Sequence, residues 1–78
     1  MANHEDAFIR SIRRYSLESC RGLRDFHADM VDAVEVKARG SVDPIEVREL
    51  GKIAAAARWV VAQSNAEIAR RLTRGADL

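Results

Sequence analysis

Cys20 and His27 are the residues of this chain whose types could serve as a nucleophile and its base, or as metal ligands. They lie seven positions apart, which puts them on one face of a helix but about 10 Å apart along its axis. A nucleophile and its base must touch, so only a second subunit could bring such a pair together. A zinc site needs further ligands at standard spacings, and none completes one. We therefore predict no metal and no cofactor.

Other signatures of catalysis do not occur in the sequence. It has no Gly-rich phosphate loop, no nucleophile elbow and no Glu-x-x-His pair of the kind found in di-iron bundles. Arg13, Arg24 or Arg58 could act inside a dimeric bundle, as arginines do in chorismate-mutase-like enzymes, but nothing distinguishes them from the other arginines. We predict that the chain is not an enzyme.

Arginines gather in two segments, one near each end of the chain. A chain folded back at its middle would bring them to one basic end, which could bind nucleic acid, a phosphate group or an acidic partner. The net charge of only +1, and Tyr15 as the only aromatic among these arginines, argue against nucleic acid. Two alternatives are a solvated mixed-charge face and pairing with the acidic segment of another copy. The candidates for the anionic partner are Arg10, Arg13, Arg14, Arg70, Arg71 and Arg74.

The elements that position these residues are fixed by the segment 40–46, Gly-Ser-Val-Asp-Pro-Ile-Glu. Gly40 suits the C′ position of a helix, Asp43 an N-cap, Pro44 the first helical position and Glu46 the third residue of a capping box. We therefore predict one all-α domain over residues 1–78. Its helices cover about 5–39 and about 44–74, joined by a turn at 40–43, and form an antiparallel hairpin. Gly22 and Gly51 fall inside the helices, where they would allow a close backbone approach or a slight bend.

Apolar positions recur every eleven residues in both predicted helices, which indicates nearly straight or slightly right-handed packing. Antiparallel pairing then places large side chains beside small ones. The expected contacts are Phe26 and Met30 with Ala54 and Ala57, and Ile12 and Tyr15 with Ile68 and Leu72.

A second apolar row on each helix has no partner within a two-helix hairpin. Trp59 is the one large aromatic of these rows, and small residues flank it, which is the pattern of an interface core. We predict that a homodimer, forming a four-helix bundle, or a partner helix covers these rows. The predicted interface comprises Trp59, Ala55, Ala62, Ala66, Ile9 and Val31.

Two short segments resemble known families. Residues 64–72, Ser-Asn-Ala-Glu-Ile-Ala-Arg-Arg-Leu, resemble the first helix of a helix-turn-helix, although only six residues follow, too few for a recognition helix. Asp43-Pro44 followed by Glu49-Leu50 resembles the turn of type III secretion needle subunits, and implies a hairpin that polymerises. The needle family's Asn/Ser-rich character and Leu-rich helix are missing here.

Composition completes the prediction. The sequence opens without a signal peptide and has no apolar run of about 20 residues, so we expect a cytoplasmic protein without a membrane span. The single cysteine excludes an intramolecular disulfide.

The function predicted is a small protein–protein interaction module, namely an adaptor, chaperone-like or regulatory protein. The alternatives are a self-assembling filament subunit and a binder of anions or nucleic acid.

Overall fold

The structure, a computed structural model, describes the backbone of residues 4–76 and the side chains of residues 4–74. It confirms the all-α prediction, since 90% of the described residues are helical and none of them is in a strand. Three helices follow in order: α1 (His4–Ile12), α2 (Leu17–Gly40) and α3 (Pro44–Ala76). The two long helices, α2 and α3, pack against each other.

The turn between α2 and α3 lies where the sequence predicts it. The Asp43 carboxylate accepts a hydrogen bond from the Ile45 N–H at 3.0 Å, and Pro44 is the first residue of α3. The Asp43 N–H donates to the Ser41 hydroxyl at 3.2 Å rather than to Glu46. The prediction for Gly40 is wrong, because it keeps a negative φ as the last residue of α2, and Ser41 is the C-cap. At the other end, α3 continues to Ala76, two residues beyond the predicted end at about residue 74.

The predicted first helix, 5–39, is interrupted at residues 13–16. Ser16 begins α2 as an N-cap, with its hydroxyl accepting from the Ser19 N–H at 3.0 Å. The carbonyl of Ile12, the last residue of α1, accepts from the Tyr15 N–H at 3.2 Å and from a distant arginine described below, so it keeps hydrogen-bond partners despite the break. The described chain thus has two long helices that pack together, α2 and α3, and a third, short helix.

The break turns α1 back along α3. Its last residue, Ile12, packs against Ile68, whereas its first residues, His4 and Glu5, line a groove with Ala55 and Ala56. Helix α1 therefore runs in the direction of α3. The described start of the chain lies beside the middle of α3, and not at the open end that a two-helix hairpin predicts.

The core lies where the three helices meet. Ile12, Cys20 and Ile68 are buried together, with Phe8, Leu17 and Leu23 packed against them. The contact of Ile12 with Ile68 is thus confirmed. The expected core positions of Phe26, Tyr15 and Leu72 are wrong, because these side chains are 63%, 44% and 51% exposed.

The buried positions of α3 follow a heptad rather than an eleven-residue repeat. Leu50, Ala54, Ala57, Ser64 and Ile68 are buried, and half-buried Val61 fills the gap in an alternating spacing of four and three. A repeat of 3.5 residues is typical of left-handed helix packing. The eleven-residue repeat places Leu72 on the buried side of α3. The heptad spacing instead places Arg71 there, and Leu72 is exposed.

Candidate functional site

Trp59 lies in a groove between α1 and α3. Its ring packs against Phe8, with ring centroids 5.2 Å apart and planes inclined by 60°. The groove, of about 540 Å³, is lined by His4, Glu5, Phe8, Ala55, Ala56, Trp59 and Val60. The expectation that Trp59 has no partner in its own chain is therefore wrong, since α1 supplies Phe8. Trp59 nevertheless stays half-exposed, with the groove open beside it.

The other residues of the predicted interface are distributed over different surfaces. Ala55, Ala62 and Ala66 are exposed on α3, and Ala55 borders the Trp59 groove. Half-buried Val31 lines a second, smaller groove of about 230 Å³, with Ala28, Asp32, Arg58 and Val61. Ile9 is half-buried on α1. The structure thus brings Trp59 and Ala55 together and places Val31 at a separate groove.

Exposed apolar residues extend along α3 from the Trp59 groove toward the turn. Ile53 and Ile45 are exposed, and their spacing to Ala56 and Val60 puts all four on one side of the helix. Helix α1 is too short to reach Ile45. Sequence reasoning missed this extension, although the recurrence of apolar residues at positions 45, 53, 56 and 60 could have revealed it.

Arg71 joins the end of α3 to the end of α1. Its guanidinium donates to the carbonyls of Tyr15 at 2.5 Å, Ile12 at 3.0 Å and Arg13 at 3.0 Å. The side chain is held from the other side by Glu67, which accepts from Arg71 Nε at 2.6 Å. The Ile12 carbonyl also accepts from the Tyr15 N–H at 3.2 Å, so Arg71 adds a donor at the end of α1, pairs two carbonyls of the following turn, and fixes the turn at residues 13–16 against α3.

Glu67 is a buried carboxylate held by two arginines. Only 6% of it is exposed, and besides Arg71 it accepts two hydrogen bonds from Arg70, at 2.7 and 3.1 Å. The hydrogen bond from Arg70 is the largest influence on the pKa of Glu67. Burial opposes it, but the arginines together lower this pKa from 4.5 to about 2. Glu67 in turn raises the pKa of Arg70.

The six arginines predicted to bind an anion therefore divide into two groups. Arg70 and Arg71 are engaged by Glu67, and Arg71 is mostly buried. The side chains of Arg10, Arg13, Arg14 and Arg74 are exposed, and among the described residues the structure gives them no carboxylate partner. The arginines considered for catalysis do not form a cluster of free guanidinium groups, because Arg24 pairs with Asp25 and Arg58 with Glu35.

Cys20 and His27 have separate roles in the packing. The Cys20 thiol is fully buried and donates to the Ile12 carbonyl at 3.7 Å. His27 Nδ1 lies 2.8 Å from the Leu23 carbonyl; since a carbonyl only accepts, Nδ1 carries the proton. Within residues 4–74, no three His, Cys, Asp or Glu side chains come together as a metal site would require. None of the helices described is long and apolar enough to cross a bilayer.

Comparison with known proteins gives no relative for this arrangement. No family model, no curated protein and no solved structure matches the chain significantly. The class that the fold defines is an all-α fold of three helices, in which the two long helices pack together.

Proposed function

We propose that this protein is a small, non-enzymatic interaction module of the adaptor, chaperone-like or regulatory kind, and that its first partner is a second copy of itself. The observation that carries the proposal is the open groove beside Trp59, together with the apolar side of α3 that continues from it. Half-exposed aromatic residues in a partly formed pocket are characteristic anchors of protein interfaces.

Because α1 is short, α3 has room for a further helix to pack along it. Helix α1 has 9 residues and α3 has 33, so most of the length of α3 extends past α1. Ala55, Ala62 and Ala66 are exposed on α3 and sit on the side of the helix that carries Trp59. Small side chains allow a second helix to approach closely, with Trp59 as the large group that fills the gap.

The distribution of charge favours a second copy in antiparallel orientation. Residues 25–58, around the α2–α3 turn, hold seven carboxylates and five basic residues. The rest of the described side chains, 4–24 and 59–74, hold eight arginines and four carboxylates. In a two-fold symmetric dimer, α3 of one copy would pack antiparallel to α3 of the other. The basic half of each copy would then lie against the acidic half of its partner.

Ala62→Arg tests the proposal with little effect on the fold, because Ala62 is exposed. Ala33→Arg is the matched control, since Ala33 is equally an exposed helical alanine but lies on α2. In sedimentation velocity, we expect Ala62→Arg to lower the sedimentation coefficient to that of a monomer, and Ala33→Arg to leave the wild-type value unchanged. If both variants have the same sedimentation coefficient and keep their helical circular dichroism, the proposed interface on α3 is wrong.

Trp59→Ala should also weaken association while leaving most of the helix in place. It is the less selective variant, because it removes the Phe8 contact inside the same chain. Loss of all helical signal in this variant would show that Trp59 serves the core alone.

A filament is the alternative assembly, built by contact of basic ends with acidic ends in succession. Negative-stain microscopy of concentrated protein separates the two assemblies, because a closed dimer gives discrete particles and end-to-end contact gives fibres.

A further inference from the structure

The end of the bundle at which α1 meets the C-terminal part of α3 is built from arginine. Residues 10–21 and 64–74 contain seven arginines, no lysine and two glutamates, whereas both lysines of the chain, Lys37 and Lys52, lie in the other half. We propose that this end binds the phosphate backbone of single-stranded nucleic acid. The inference does not depend on the self-association proposed above.

The Arg71 hydrogen bonds place the arginines of two distant segments together. They fix the carbonyls of Ile12, Arg13 and Tyr15 against the end of α3. The turn that carries Arg13 and Arg14 is thereby held against Arg71, which stands three positions before Arg74 and therefore on the same side of α3. A two-helix hairpin would not have this contact.

The charge of this end is only partly neutralised by the carboxylates of the same two segments, which number two against seven arginines. Glu67 is the only carboxylate on the C-terminal part of α3 within residues 64–74, and both of its oxygens are occupied by Arg70 and Arg71. The exposed guanidinium groups of Arg13, Arg14 and Arg74 therefore project into solvent with their charge available. Guanidinium groups offer planar, paired donors that match phosphate oxygens better than an ammonium does.

Tyr15 favours single-stranded nucleic acid over other polyanions. It follows Arg14 in the same turn, its backbone carbonyl is held by Arg71, and the residue is 44% exposed. Strand-binding proteins combine a basic track along the backbone with aromatic side chains on which bases stack. An acidic protein surface or a phosphate headgroup has no base to stack on this ring.

Fluorescence anisotropy with a labelled 20-nucleotide single strand of mixed sequence tests the inference. Three phosphate contacts, from Arg13, Arg14 and Arg74, predict that affinity falls about 20-fold between 50 and 200 mM salt, from a slope of about 0.7 per contact for single strands. Replacing Arg13 and Arg14 by alanine should lower affinity about tenfold at 50 mM salt and reduce the slope by about 1.4. Tyr15→Leu should also weaken binding about tenfold, with little change in the slope.

The matched control replaces Arg39 and Arg48, two exposed arginines near the α2–α3 turn. This pair removes the same charge, and we expect it to change affinity by less than about twofold. Equal losses from both pairs, or no binding at 50 mM salt, would overturn the inference. So would equal binding of polyglutamate or of vesicles containing phosphatidylserine, together with insensitivity to Tyr15→Leu, because the site would then recognise negative charge alone.

Discussion

Arg71 donates a hydrogen bond to the carbonyl of Ile12, 59 positions earlier in the chain, over 3.0 Å. The same carbonyl accepts from the Cys20 thiol, so the end of α1 is tied to both long helices. This contact joins the short helix α1 to the two long helices that pack together. It also determines which side of α3 is covered and which side stays open.

Replacing Arg71 by alanine should release α1 and lower the free energy of unfolding by about 3 kcal/mol, because the carbonyls of Arg13 and Tyr15 lose the Arg71 donor and Glu67 loses one of its two partners. Urea unfolding measures the loss, and Trp59 fluorescence in the native state reports the separation from Phe8. Arg74→Ala, at an exposed arginine nearby, should change the stability by less than about 0.5 kcal/mol. Equal effects of the two variants would show that Arg71 has no special structural role.

Glu67 predicts a loss of stability in acid. Its pKa is lowered from 4.5 to about 2 in the folded protein, so its contribution is complete above pH 5 and is lost as the pH falls toward 2. The difference between these two pKa values corresponds to at most about 3 kcal/mol of unfolding free energy. Glu67→Gln should be less stable at neutral pH and should lack this part of the dependence when urea unfolding is measured from pH 6 to pH 2. A variant with the same pH profile as the wild type would contradict the assignment.

The burial of Cys20 predicts a protected thiol. Cys20 is fully enclosed by a cluster that includes Ile12 and Ile68, so a thiol reagent such as Ellman's reagent reacts only after the helices separate. Ile12→Ala removes about 2–5 kcal/mol of packing and should accelerate the reaction at least about 30-fold. Val42→Ala, at an almost fully exposed position, is the control and should leave the rate unchanged. Rapid labelling of the wild-type protein would show that α1 does not cover Cys20.

The glycines inside the long helices predict stabilising substitutions. A Cβ added at Gly22 or Gly51 meets no atom within 4 Å, so the close approach expected from the sequence is wrong. Neither glycine has a positive φ. Gly22→Ala and Gly51→Ala should each raise the free energy of unfolding by about 0.5–1 kcal/mol in urea titrations. Destabilisation by either change would show that the open space at that glycine is filled in solution, for example by a second copy of the chain.

The sequence predicts the α2–α3 turn well, because its signals are local. Asp43 and Pro44 act on the residues next to them, and the structure places them as N-cap and first helical residue. The break at residues 13–16 is not predicted, since Ser16 is a weak signal by itself and its support comes from Arg71, 56 positions beyond Tyr15. A long-range contact of this kind leaves no periodic trace in the sequence.

The candidate sites also divide into features that the sequence predicts and features that it does not. The basic end is predicted by the positions of the arginines in the chain, but which arginines are free depends on their ion pairs with Glu67. That pairing was accessible, since Arg70 and Arg71 stand three and four positions after Glu67, the spacing of neighbours on a helix. The contact of Phe8 with Trp59 was not accessible, because it requires α1 to reverse its direction.

The sedimentation of the unmodified protein at tens of micromolar tests the proposed self-association most directly. The open side of α3 beside Trp59 predicts a single species of roughly twice the 8.7 kDa chain mass. A folded, monodisperse species with the mass of one chain would contradict the proposal, and would show that α1 alone completes the surface of α3.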